Sequence, residues 1–286
     1  MTQAKIGVQM MMLKQKAEEN GVYETLRELS NLGYRSVEVS QIPMTKENVA
    51  KLKRGSADFS IKISALSAPA EPMAPGVQME NLTDDFDKIV DDCKELDCTY
   101  LRIGMLPVHI MGDKEKIMAF IDRAEALAKR LADEGIQLYY HTHHIEFQKY
   151  NGEYLLDLMK NNTKTLGFEL DVHWIQRAGE DPIKMIKQYQ GRIGLLHLKD
   201  YRIGQLDASE EALKDMKAFF GRFTNLIEFA ELGEGNLDLK AIIEAGLDAG
   251  VEHFFIEQDD TYGRDPFECL KISGEHLRAL GYGHMI

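Results

Sequence analysis

The chain has 286 residues, 44% of them hydrophobic and 28% charged, enough to bury one large core as an α/β barrel or two smaller ones. Its formal net charge of −13, with no gathering of basic residues on one face, sets it against phosphate backbones and anionic lipid, so nucleic acid is not an expected partner. No segment approaches the roughly 18 unbroken apolar residues of a membrane span, and the opening MTQAKIGVQMMM lacks a long apolar core followed by a small-residue cleavage site. A soluble, cytoplasmic protein is expected, with that opening as its first strand.

In chain order, short β-rich runs alternate with helical patterns, as parallel strands joined by crossover helices do. The runs are IGVQM near residue 6, SVEVS at 36, IKISAL at 61, YLRIGM at 100, IQLYYH at 136, LGFELDV at 166, IGLLHLKD at 193 and HFFIEQ at 253. DDFDKIVDDCKELD reads as the solvated face of one helix over buried Phe86, Ile89 and Val90. Residues 114 to 133 form the clearest helix, because Ile117, Phe120, Ile121, Ala124, Leu127, Ala128 and Leu131 recur at three- and four-residue steps. Gly135 ends it, and Gly33 and Gly250 sit at equivalent points before later strands, each expected in the left-handed conformation. Residues 200 to 232 are the least regular stretch; they follow the seventh strand and are expected to lie over the barrel mouth as a long loop containing the helical run EALKDMKAFFGRF. Cys93, Cys98 and Cys269 have no redox or zinc spacing and read as reduced, buried thiols.

Eight such units, with no glycine-rich phosphate fingerprint after the first strand, predict a single (β/α)8 TIM barrel spanning residues 1–286. Catalytic groups of such barrels stand at the carboxyl ends of the strands. Here the fifth strand ends at His141 and His143, the sixth at Asp171 and His173, the seventh at His197 and the eighth at Glu257. Side chains two apart on a strand share a face, and a carboxylate closing an apolar strand, as in FELD and FFIE, is expensive to bury unless paired or metal-bound. Two imidazoles and two carboxylates converging on one mouth suit one divalent ion such as manganese, cobalt, zinc or iron better than magnesium. His109, His144, His253, His276 and His284 read as ordinary residues on the other strand face, in helices or in tails.

The motifs YHTHHIEF, GFELDVHW, LLHLKD, ELGEGNLD and FFIEQD, in that order, resemble the sugar isomerase/epimerase barrels of the xylose-isomerase-like superfamily, which also includes inosose dehydratase, ketose 3-epimerases and endonuclease IV. The resemblance runs over nearly the whole chain and implies metal ligands at His141, Asp171, His197 and Glu257, with Glu146 the alternative fifth-strand ligand. Many relatives place a glutamate at the position of His141 and use it opposite the eighth-strand glutamate as a pair of bases. Inosose dehydratase is similar to this chain in carrying histidines on that strand.

The expectation is therefore a metal-dependent isomerase or epimerase of a small ketose or polyol. A lyase acting on a keto-sugar, keto-inositol or 3-keto-glycoside is the first rival, and a non-catalytic sugar-binding barrel the second. His143 is the expected base and Glu146 its partner, with Glu257 a further acid/base candidate. Lys199 either donates to a developing oxyanion or pairs with a carboxylate. Trp174 is expected to stack on a sugar face or pack in the core, and His173 and Glu234 to line the substrate. Nothing in the sequence fixes the substrate or whether the chain forms a homo-oligomer.

Overall fold

A computed structural model describes residues 4–286. Eight parallel strands close into a barrel: β1 (Lys5–Gln9), β2 (Ser36–Val39), β3 (Lys62–Ser67), β4 (Tyr100–Ile103), β5 (Gln137–His141), β6 (Gly167–Asp171), β7 (Ile193–Leu198) and β8 (His253–Ile256). Each of the eight runs read from the sequence is a barrel strand, and helices fill the intervals. Met10 is the exception at the start, since it opens a 3-10 turn over Met10–Leu13; residues 1–3 lie outside the described residues.

The helix Lys114–Asp133 has the bounds its periodicity predicts, and the seven apolar residues named for it are all buried. Each such large side chain contributes about 1.5–3 kcal/mol when fully removed from water. Asp113 starts the helix by accepting the N–H of Lys116, and Gly135 follows its end at φ 77°. Gly33 and Gly250 likewise have positive φ, 99° and 90°. The three cysteines are free and buried. Among the described residues no helix is long and apolar enough to cross a membrane.

Inside the barrel, side chains stack in layers from alternate positions. Ala65, Tyr139, Leu195 and Phe255 form an apolar layer with Tyr100 against it. Gly167 and Gly194 make room for Tyr139, because a Cβ on either would collide with its ring or hydroxyl. His253 corrects an expectation. It begins β8 on the same face as Phe255 and Glu257, stacked at 8° on Phe255 and 5.4 Å from Tyr100, so it points inward at the opposite end of the strand from the mouth.

Residues 200 to 232 are more ordered than a loop. Asp200–Ile203 pairs antiparallel with Ile227–Ala230, and the short helices Glu210–Leu213 and Met216–Thr224 lie between them. The carboxylate of Asp200 then accepts the N–H groups of Gly233, Gly235 and Leu237, which ties down the ELGEGNLD segment.

Candidate metal centre

The sequence GFELD places Glu169 and Asp171 on the inner face of β6, and the strand stops there because Asp171 caps the next helix. Its Oδ1 accepts the N–H of His173 at 2.9 Å and of Trp174 at 3.2 Å, starting the helix Val172–Arg177. Its Oδ2 is left buried without an aligned donor. That oxygen lies 3.9 Å from Nε2 of His141 and 3.8 Å from Nδ1 of His197. His197 is level with Asp171 in the β6–β7 register, and His141 with Glu169 between β5 and β6.

Glu257 follows β8. Its Oε1 accepts from Nε2 of Gln9 at 2.6 Å, and its Oε2 lies 2.9 Å from Nδ1 of His197. His141, Asp171, His197 and Glu257 are all buried, and each brings one ligand atom to within 4.8 Å of the others. This cluster can hold a metal ion. Glu38, Glu169 and His197 form a second group of the same kind.

Burial makes the charges here expensive, and the neighbours decide which survive. Burial pushes Asp171 up to about 6 against the pull of Lys199, and Glu169 up to about 8, helped by the charge of Glu38. Burial also opposes ionisation of Glu257, but Lys199 and His197 hold it well below the usual carboxylate range. His141 is pushed well below its ordinary value by burial and then by the charges of His197 and Arg102. For His197 burial works against protonation, yet Glu169, Glu257 and Glu38 together raise it well above. For Asp171 and Glu169 the energetic difficulty is negative charge in a dry place, which a divalent cation would offset.

The remaining candidates are placed as follows. His143 lies with its ring 4.7 Å from that of His141, and its buried Nδ1 has no partner. Glu146 is buried and turned away: its two oxygens accept the hydroxyl of Tyr140 at 2.6 Å and the backbone N–H of His143 at 2.7 Å. The Nζ of Lys199 bridges carboxylates, 2.9 Å from Asp171, 3.0 Å from Asp259 and in contact with Glu257. His173 has its Nδ1 against the Asp200 carbonyl at 3.1 Å and its Nε2 buried without a partner. Trp174 is half-buried among His143, His144, His173 and Phe229. Glu234 is engaged by Arg264 at 3.1 Å and by Arg202 at 3.7 Å.

Several residues beside the cluster went unnoticed in the sequence: Gln9, Glu38, Arg102, Glu169, Phe229 and Asp259. For Glu38, Arg102 and Glu169 a signal existed, since each is a charged residue inside an apolar strand. Phe229, carried by the antiparallel pair, stacks on His173 with centroids 4.5 Å apart.

A closed barrel with a buried His, Asp, His and Glu cluster at the carboxyl ends of β5 to β8 defines an α/β barrel built around a candidate metal centre. Residues 26–277 match the family described as Xylose isomerase-like TIM barrel, and the chain belongs to that family. Over 186 residues it is 30% identical to an inosose dehydratase from Lacticaseibacillus casei, a match that covers 62% of this chain and only 60% of that relative's length. Among solved structures it is similar to a sugar phosphate isomerase/epimerase from Parabacteroides distasonis, with a TM-score of 0.73 and 21% identity over 99% of this chain and 96% of that one. It is also similar to a xylose isomerase-like TIM barrel protein from Mycobacterium smegmatis in complex with magnesium, with a TM-score of 0.62 and 15% identity over 99% of this chain and 98% of that one. At these identities the solved structures attest the fold.

Proposed function

We propose that the chain is a divalent-metal-dependent lyase that removes water beside the carbonyl of a keto-sugar or keto-polyol, with His141, Asp171, His197 and Glu257 holding manganese, cobalt, zinc or ferrous iron. The observation that carries this reading is the buried tetrad, in which Oδ2 of Asp171 has no aligned hydrogen-bond donor and is met by the Lys199 ammonium at 2.9 Å. Two imidazoles and two carboxylates suit a borderline cation better than magnesium. Two further observations favour elimination: the likeness to an inosose dehydratase, and the orientation of Glu146, which leaves Glu257 without an opposed carboxylate base.

A cation held there supplies Lewis acidity to a carbonyl and its neighbouring hydroxyl, lowering the pKa of the adjacent C–H. The chain's own groups do the rest. Burial, then the charge of Lys199, pushes His143 down to about 3, so its ring is neutral and can accept at the unpaired Nδ1. It takes the proton from the carbon beside the carbonyl. The hydroxyl on the next carbon then leaves with that proton as water, and a double bond forms between the two carbons. One acid/base group serves both halves of the step.

Lys199 remains charged, since Asp171, Glu257 and Asp259 outweigh the cost of its burial. It donates to the oxygen on which charge develops, and Asp259, 3.0 Å from its ammonium, would hold it in place with Asp171 and Glu257 serving as metal ligands. Trp174 and Phe229, 5.8 Å apart and nearly perpendicular, offer an apolar wall to the C–H face of a sugar.

Ketose isomerisation is the second reading. It is favoured by the Lys199 ammonium beside the tetrad, placed to pass a proton between vicinal oxygens. The test is a panel of keto-sugars and keto-inositols in D2O with protein loaded in turn with manganese, cobalt, zinc and ferrous iron, followed by NMR. Loss of water to an unsaturated product is the expected result. Deuterium uptake without loss of water would establish the second reading, and neither change with any of the four metals would overturn both.

A further inference from the structure

Glu38 on β2, Arg102 on β4 and Glu169 on β6 meet in the barrel interior beside the tetrad, with Glu169 level with His141 in the strand register, and all three are buried. With His197 the two glutamates have the donor types of a second cation site. That charge is already met. The Nε of Arg102 lies 2.6 Å from Oε1 of Glu38 and 3.4 Å from Oε2 of Glu169, and its Nη2 donates to Ser40 at 3.0 Å. A guanidinium does not give up its proton in a protein, so a dication here would face a fixed positive charge.

The glutamates face imidazoles instead. Oε2 of Glu169 is 3.2 Å from Nδ1 of His141, and Oε1 is 3.1 Å from Nε2 of His197, which also reaches Oε1 of Glu38 at 3.2 Å. The opposite nitrogens look upward: Nε2 of His141 is 3.9 Å and Nδ1 of His197 3.8 Å from Oδ2 of Asp171. The contacts to Glu169 lie off the hydrogen-bond line, which leaves both its oxygens and Nδ1 of His141 buried without an aligned partner. At 3.2 Å, a rotation of the His141 ring would bring its Nδ1 into line with Glu169. Both glutamates also stand at breaks in strand register, between Val37 and Glu38 and between Phe168 and Glu169, where an irregularity re-aims a side chain.

We propose that Glu169 is a positioning residue that accepts from both imidazoles, so that His141 is held as the Nδ1–H tautomer and His197, with help from Glu38, as the Nε2–H tautomer. The two rings then present opposite nitrogens to one cation. A neutral imidazole carries a single N–H, and a carboxylate that takes it leaves the lone pair on the far side, the arrangement that orients metal-bound histidines. This rests on the tetrad holding a metal, as proposed above.

The test is a long-range proton–nitrogen correlation spectrum of zinc-loaded protein with 15N-histidine, with His141→Ala and His197→Ala identifying the two signals. The expected wild-type result is one zinc per chain, an Nδ1–H pattern for His141 and an Nε2–H pattern for His197. Glu169→Gln, which has one acceptor oxygen for two rings, is expected to weaken zinc binding about 10- to 100-fold and to release one tautomer. The same protonated nitrogen on both rings, two zinc ions per chain, or a Glu169→Gln variant with wild-type affinity and tautomers would each overturn the proposal and leave the proposed function standing. A wild type that binds no zinc or other cation would overturn both. If Glu169→Gln does not fold, the wild-type spectrum still decides.

Discussion

The barrel interior is two regions separated by one step of two residues along the same strands. Tyr139, Leu195 and Phe255 fill the lower layer, and His141, His197 and Glu257 stand directly above them. Below, packing is so close that Gly167 and Gly194 have no room for a Cβ. Above, the same strands bury carboxylates whose protonation is shifted by that burial. The lower layer stabilises the fold by removing apolar surface from water, while the upper layer is held in place at an energetic cost that a cation would relieve. On the proposed function, stability and chemistry are divided by height within one barrel.

The sharpest way to break this division is to damage the lower layer. Phe255→Ala is expected to destabilise the chain by about 3–5 kcal/mol, the usual cost of emptying a buried aromatic site. Its affinity for manganese should stay close to wild type in calorimetric titration of the folded variant. A large loss of affinity without a large loss of stability would show that the layers are not separable.

The converse change is Asp171→Asn. Turnover of the substrate found in the keto-sugar panel should fall on the order of 10²- to 10³-fold, since several kcal/mol of charge stabilisation is lost at about 1.4 kcal/mol per decade. The melting temperature should change little, because the Asn oxygen still caps the helix that follows. A variant that melts far below wild type would place Asp171 among the structural residues.

A third prediction concerns pH. Burial raises Glu146 to about 7 in the folded chain from 4.5, so the folded state binds its proton more tightly than the unfolded state does. Its protonated form therefore supports the fold below about pH 4.5, and that contribution is lost as pH rises to about 7, by up to about 3 kcal/mol. Denaturant titrations of metal-free protein at pH 5 and pH 8 should show this loss, and Glu146→Gln should flatten it. An unchanged slope in the variant would mean that Glu146 is already ionised where it lies, against the hydroxyl of Tyr140.

The smallest effect is expected at the rim. Phe229→Ala should raise KM about 5-fold with kcat nearly unchanged, the size of one lost aromatic contact of about 1 kcal/mol. A selective fall in kcat would instead place Phe229 on the reacting end of the substrate.

Much of this was readable in the chain itself. The strands and the helix Lys114–Asp133 were legible because each buries one face and so repeats its apolar residues at a fixed step. The tetrad was legible because an ionisable group at the end of an apolar strand has few structural reasons to be there. The same reasoning applied inside the strands would have found Glu38 in SVEVS, Arg102 in YLRIGM and Glu169 two residues before Asp171. Other features lay outside local pattern. Glu146 follows the fifth strand closely, but the 3-10 turn His144–Phe147 rotates its carboxylate toward Tyr140. Phe229 reaches His173 only because Ile227–Ala230 pairs back onto Asp200–Ile203 across two short helices, a contact between distant segments that neither segment announces.

The proposed binding of one divalent cation by His141, Asp171, His197 and Glu257 is tested most directly by elemental analysis of tag-free protein incubated with manganese, cobalt, zinc or ferrous iron, wild type beside Asp171→Asn and His197→Ala. About one ion per chain in the wild type, lost from both variants, is the result this account predicts. A wild type that takes up none of the four metals, or variants that keep the ion, would contradict it.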